Sequence, residues 1–423
     1  MKIYVKRNKC RLCGSKKISK FLNLPSAPPG EQLKKKIIKK YYNVPIDLYI
    51  CSKCFHVQLL SIPSNHLMWN NEYTFMPGYN PDIVNHFRKT VLYLKNKLNL
   101  NIKNAFEIGS NDGLFLSLLK EKFSSNVLGA DPSLLPRKSA EKKGIKTLNM
   151  FFDYKNSKLI LKKYGKFDLV VANNVFAHSD NLSGMLKGIV NILDNNGHFI
   201  FEASNLLDVL KKKLIGTIIH EHLSVHSVTS LAPFFKKHNL EIIDVIHNPN
   251  IQGGIIIGIV KKISKKNKIF KSVKIHLKKE EKFGLKSKKK LKLFASDFKL
   301  FFKKFKNKIK TNNRVKNIVC IGAARSLPII LKILGIEQNV KSVLDNNKFK
   351  LGKFLPSEHN IKIENQNSHS YSKENYYLIT AWVHTNRVIK ILKKHILKKK
   401  QNLNVVTIFP KFKILNLKLK KFF

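Results

Sequence analysis

Between residues 80 and 255 short apolar runs alternate with amphipathic stretches, and few architectures accept that rhythm. Asn104–Ile108, Val127–Ala130, Phe167–Ala172 and His198–Glu202 read as strands, with helical patterns such as Leu114–Lys120 between them. Parallel neighbours can be joined only through a long crossover, so the alternation predicts an α/β unit with a parallel sheet. A second α/β pattern begins at 316. Asn317 to Gly322 reads as strand then turn, Ser326–Gly335 as helix, and Val340–Leu344 as a strand ending at Asp345. A further strand, Tyr377–Ala381, precedes a helix starting near Thr385. Cys320 falls inside an apolar strand and reads as a small core residue.

The segment between these halves, 261–315, is dominated by Lys. Within it Leu291, Phe294, Phe298, Phe301, Phe305 and Ile309 recur at three- and four-residue spacings, one stripe of a helix. Two readings fit: a linker helix packed on a neighbouring domain, which we expect, or an amphipathic helix lying on a membrane surface.

Composition removes several classes. Of the 423 residues 43% are hydrophobic, enough to build cores and to exclude disorder as the main state. With 19 Gly and 5 Cys the chain is neither collagen-like nor disulfide-dense. No apolar run approaches the ~18 residues needed to span a bilayer, and the first residues carry no secretory h-region. A cytoplasmic, multidomain protein is expected. Lys+Arg number 80 against 26 Asp+Glu, a net charge of +54. Such a surplus suits a polyanionic partner. Yet Lys covers almost every polar face alongside abundant Asn and Ile, which share A/T-rich codons, while the Arg that reads phosphate and guanine is scarce. No nucleic-acid partner is therefore expected.

Four cysteines form two C-x-x-C knuckles, Cys10/Cys13 and Cys51/Cys54. Two such pairs close a tetrahedron of thiolates around one zinc ion with no position left for a reactant, so the ion is structural.

Glu107-Ile108-Gly109-Ser110-Asn111-Asp112-Gly113 follows a strand and opens a helix. The pattern E-x-G-x-x-x-G at that place resembles the S-adenosylmethionine loop of class I methyltransferases. Its glycines admit the ligand close to the backbone, and the helix N-terminus favours a carboxylate. Asp131, ending the next strand, is placed to hold ribose hydroxyls. Asn173 and Asn174 end the fourth strand at the ligand-binding edge. The spacing is not the G-x-G-x-x-G of a nicotinamide or flavin site. Further on, His220-Glu221-His222 packs two imidazoles and a carboxylate together, and His178 lies just beyond Asn173-Asn174. Metal chelation, proton chemistry and a structural cluster are all open to this tripeptide, although it lacks the i,i+4 spacing of H-E-x-x-H.

Over nearly its whole length the chain resembles the bacterial nucleotide-sugar C-methyltransferases. The resemblance rests on the knuckles, the glycine loop, GADPS (129–133), ANNVFAHSDN (172–181), FEASNLLDVL (201–210), TIIHEHLSVHSVTSL (217–231), IQGG (251–254), DNNKFKLGKFLP (345–356) and ITAWVHT (379–385). It implies a zinc-binding domain over 1–75, a Rossmann-like class I S-adenosylmethionine-dependent methyltransferase core over 76–260, and a linker helix with a C-terminal Rossmann-like nucleotide-sugar-binding domain over 261–423. It further implies methyl transfer to a carbon beside the keto group of a deoxysugar on a nucleoside diphosphate, dTDP being the expected carrier. His222 maps onto the base and Glu221 onto its assistant, with His220 and His178 lining the pocket and Tyr73 and Tyr79 in a tyrosine-rich loop. Glu107, Gly109, Ser110, Asn111, Asp112, Gly113, Asp131, Asn173 and Asn174 map onto the cofactor site.

Three departures stand out. Ile219 replaces the family's usual Tyr before His-Glu-His. Pro77 and Gly78 replace Ser residues of the tyrosine-rich loop. The C-terminal glycine turn is less Gly-rich and carries Arg325, either a diphosphate ligand or a solvated cation. Two other functions compete: an RNA methyltransferase using the basic surface, and an S-adenosylmethionine-binding protein that has lost catalysis.

Overall fold

The computed structural model describes residues 2–29, 32–37, 41–69, 73–311, 317–408 and 412–418. Its centre is a seven-stranded sheet in the order Leu240–Asn248, Ile255–Lys262, Leu193–Ser204, Phe167–Asn173, Asn104–Ile108, Asn126–Ala130, Thr147–Leu148. Only Ile255–Lys262 runs against its neighbours. The chain enters mid-sheet at Asn104–Ile108, builds outward to Thr147–Leu148, then returns to the other side with Phe167–Asn173. That reversal leaves a crevice beyond the carboxyl ends of the two central strands, where such sheets bind ligands.

The C-terminal half repeats the plan. Its six strands lie in the order Lys362–Asn365, Val340–Asp345, Ile318–Ile321, Tyr376–Ile379, Leu403–Thr407, Lys413–Leu417, all parallel except the last. The N-terminal sheet is antiparallel: Ile18–Leu22, Leu48–Cys51 and Val57–Leu59. Its fourth strand comes from far along the chain. Ser224–Val225, just after the His-Glu-His segment, pairs with Gln58 and Val57.

Most expected strands lie within a residue or two of their predicted limits. His198–Glu202 is the exception, reaching back to Leu193, which pairs with Phe167 across an irregularity that the turn-like Asp194–Gly197 disguises. Tyr376–Ile379 stops short of Ala381 because the Thr380 and Ala381 N–H groups both donate to the Ile321 carbonyl and turn the chain. The Lys-rich linker forms the helix Lys288–Thr311. Leu291, Phe294, Phe298, Phe305 and Ile309 are buried as the stripe requires, but Phe302 takes the buried place expected of Phe301, which packs at the margin. These rings share one core with Leu22 and Leu48 of the N-terminal sheet and with Ile330 and Leu334 of the helix Leu327–Leu334. The stripe is thus an internal seam, and Phe298 or Phe305 cut to Ala removes ~3–5 kcal/mol of packing. Cys320 is fully buried in its strand. Among the described residues no helix is long and apolar enough to cross a membrane.

Candidate active site

The glycine loop sits at the carboxyl end of Asn104–Ile108. Gly109, Asn111 and Gly113 all have positive φ, at 64°, 51° and 71°. A Cβ on Gly109 would meet Val175 Cγ2 at 2.4 Å, so no other residue fits there without displacing the segment that follows Asn173-Asn174. Asp131 braces the loop, its Oδ2 accepting from the Asn111 N–H at 3.0 Å while Oδ1 accepts from the Ser133 N–H at 2.8 Å. Burial raises the pKa of this carboxyl above the ordinary Asp value.

The two asparagines part company. Asn173 donates to Glu107 Oε1 at 3.0 Å, and burial pushes Glu107 well above the usual carboxyl range. Asn174 donates instead to Glu202 Oε1 at 2.6 Å, and the other oxygen of Glu202 meets His86 Nε2 at 2.6 Å. This buried Glu202–His86 pair was not anticipated; the signal was an acid ending the otherwise apolar strand run that reaches Glu202. Asp112 is held by Lys143 at 3.0 Å and by the Gly78 N–H at 3.1 Å, which ties the glycine loop to the 73–79 segment. Glu107 Oε2, Ser110 Oγ, Asn111 Oδ1 and Asp112 Oδ1 are buried without a protein partner. A cradle of this shape with unspent polar atoms fits the amine, carboxylate and hydroxyls of S-adenosylmethionine.

His222 Nδ1 lies 2.7 Å from the Thr217 carbonyl. A carbonyl only accepts, so Nδ1 carries the proton and Nε2 carries the lone pair. The ring stacks on His178, centroids 5.3 Å apart at 15°, and His178 in turn meets Trp69 at 5.1 Å. Desolvation brings His222 down to about 4, and the Arg325 charge adds to that. His220 turns elsewhere: its Nε2 bonds the Val44 carbonyl of the N-terminal region at 2.9 Å.

Arg325 is no solvated cation. It leaves the C-terminal glycine turn to pair with Glu221, and its guanidinium lies 4.4 Å from the centroid of Tyr73 and 5.2 Å from that of Phe75. Tyr73 is buried beneath it, whereas Tyr79 is 71% exposed and takes no part in the cluster. Ile219 borders a small cavity with Ala27, Pro28, Ile46 and Ile329, so all three parts of the chain wall it. The contacts form a circuit: glycine loop, Phe75 (whose carbonyl accepts from Asn111 at 3.0 Å), Arg325, Glu221, His222, His178, Val175 and back to Gly109.

Cys10, Cys13, Cys51 and Cys54 place their sulfurs within 4.8 Å of one another, with the Cys10–Cys54 and Cys13–Cys51 pairs at 3.5 Å. Four thiolates at ~2.3 Å from one ion stand ~3.8 Å apart, so the cluster fits tetrahedral zinc. A hydrogen bond from Cys54 draws Cys10 down to about 5, while burial pushes Cys13 up to about 11.

Buried imidazoles make a prediction for stability. Desolvation holds His220 at about 4 and His226 at about 3, and keeps His56 well below its ordinary value. In an unfolded chain these groups titrate near ~6.5, so below that pH the unfolded state binds protons the folded state refuses. Stability is therefore intact above ~6.5 and falls as pH drops, by roughly 1.4 kcal/mol per unit for each group. Thermal melts should show Tm lower by about 10 °C at pH 5 than at pH 7.5, and a flat profile would contradict the burial of this trio as neutral rings.

Comparison with known proteins agrees with this arrangement. Successive family profiles match residues 10–68 as a zinc binding domain, 83–245 as a methyltransferase domain and 250–410 as a C-methyltransferase C-terminal domain. The C-methyltransferase NovU of Streptomyces niveus is 25% identical over 348 residues, covering 82% of each chain. Solved structures include an S-adenosylmethionine-dependent methyltransferase from Clostridium acetobutylicum, at 18% identity and TM-score 0.34 over 43% of this chain and 92% of that one. Magnesium protoporphyrin IX methyltransferase from Synechocystis PCC 6803 gives 16% identity and TM-score 0.34 over 43% and 83%. The protein is an enzyme that uses S-adenosylmethionine and carries one zinc ion. With the three parts in order and similarity to a C-methyltransferase along most of its length, the chain is an S-adenosylmethionine-dependent C-methyltransferase that carries a zinc-binding domain.

Proposed function

We propose that this enzyme methylates a carbon next to the keto group of a deoxysugar carried on a nucleoside diphosphate, with dTDP the expected carrier. The division of labour has boundaries near 75 and 260: a zinc-bearing part, a methyl-donor part and a C-terminal part for the nucleotide. Bound S-adenosylmethionine supplies an electrophilic methyl group. Glu107, the 109–113 loop, Asp131 and Asn173 hold it, while Asn174 serves through Glu202. His222 takes the proton from the carbon beside the ketone, because an unactivated C–H carbon is a poor nucleophile and its enolate a good one. Glu221 and Arg325 set the charge beside that base, His178 backs the ring, and Tyr73 closes the wall. His220 anchors the segment, and Tyr79 is left to the rim.

The observation that carries the reading is the His222 tautomer. Its Nδ1 proton is committed to Thr217, which leaves Nε2 as a proton acceptor within a circuit that includes the glycine loop. The test is incubation with S-adenosylmethionine and dTDP-linked keto-deoxysugars, with the new methyl located by NMR. A methyl on carbon adjacent to the ketone is the expected product. Methylation of a hydroxyl or amine defeats the reading, as does S-adenosylhomocysteine binding with no dTDP binding in ~0.3 M salt, where nonspecific attraction to the basic surface is screened.

A further inference from the structure

Arg11 stands between the two cysteines of the first knuckle, yet its side chain has no exposure at all. Its contacts lead away from the knuckle and into the histidine cluster. Nη1 donates to the carbonyls of Leu59 and Leu223, the latter at 3.1 Å, and to Gln58 Oε1 at 3.3 Å. Nε donates to Asp180 Oδ1 at 3.0 Å, and Arg7 holds the other carboxylate oxygen at 2.9 Å. Leu223 directly follows His222, and Asp180 lies two residues beyond His178. Backbone bonds join the same segments in space: Leu59 N–H to the Leu223 carbonyl at 2.9 Å and Ser224 N–H to the Ala177 carbonyl at 3.1 Å. Nη2 is buried without a partner among the described residues, so the buried charge is held through Nε and Nη1 alone, and only Arg has a rigid fork able to reach two segments at once.

We propose that Arg11 is a positioning residue through which the zinc knuckle holds His178 and His222 face to face. The inference rests on His222 being the base, but its readout does not. In protein labelled with ¹⁵N-histidine, His178→Gln and His222→Gln assign the two ring signals. Arg11→Met is expected to keep one zinc per chain and to bind S-adenosylhomocysteine within threefold of wild type. It should nonetheless shift or broaden both ring signals. Turnover should fall tenfold to a hundredfold at unchanged KM for S-adenosylmethionine, the scale of a displaced reacting group, with partial rescue in Arg11→Lys. Should Arg11→Met lose zinc or fail to fold, Asp180→Asn provides the same test on a half-exposed acid, and the His178 signal should move. Unchanged ring signals in a zinc-loaded Arg11→Met, or in Asp180→Asn, overturn the proposal. If instead His222→Gln retains full turnover while the Arg11 variants disturb the rings, the base assignment falls and the positioning stands.

Discussion

Replacing His222 by Ala should slow methyl transfer by ~10²–10⁴ while S-adenosylhomocysteine binds as before, because a general base acts on the acceptor carbon and not on the donor. Single-turnover measurement with saturating donor separates the two. A loss of threefold or less would remove His222 from the chemistry. The pH dependence adds a second constraint. With its folded pKa near 4 the ring is already neutral at pH 5, so in the free enzyme the base is ready across the physiological range. The rate constant kcat/KM should therefore be level from pH 6 to 8, with no step at ~6.5, the value of an ordinary histidine. Glu221→Gln keeps the shape but removes the partner charge of Arg325, and should cost less than His222→Ala.

Removal of zinc should have the largest effect on stability. Structural zinc on thiolates binds with apparent free energies of about 10–16 kcal/mol in small domains, and that energy is folding energy. Cys51→Ser, or exhaustive chelation, should bring metal content from one ion per chain to none and lower Tm by more than 10 °C by the same coupling. Methyl transfer should disappear with it, because the N-terminal sheet and the His-Glu-His segment share the Val57–Leu59 edge. Metal analysis of protein purified without added zinc checks the first half. Absence of metal, or an unmoved melt after its removal, would contradict the site.

What the sequence disclosed was local chemistry. The knuckles, the glycine loop and Asp131 are legible because each encodes its own turn or ligand set within a few residues. The histidine cluster was legible as a composition, but its geometry was not. Nothing near His220 signals that its ring reaches Val44, nor does anything near His222 signal a proton committed to Thr217. Arg325 was undecidable because its partner, Glu221, lies 104 residues away. The bond from Arg11 to Leu223 spans 212. Pairings of that range follow from how the three sheets dock, which no window of sequence contains. The linker stripe shows a milder limit: periodicity selects a helix face, yet neighbouring Phe301 and Phe302 straddle its edge, with Phe302 inside the shared core and Phe301 at its margin.

The borrowed strand Ser224–Val225 also constrains how the polypeptide is made. A ribosome emits the three N-terminal strands first, and the residues that cover their open edge follow only after most of the central sheet. At about 5–20 residues per second that edge stands bare for roughly ten to thirty seconds. Exposed edges recruit other strands, so newborn chains on one message are at risk of pairing with each other during this interval. Both knuckles are emitted before that interval begins, so zinc can tie the end of Leu48–Cys51 to the first knuckle while the edge is still bare.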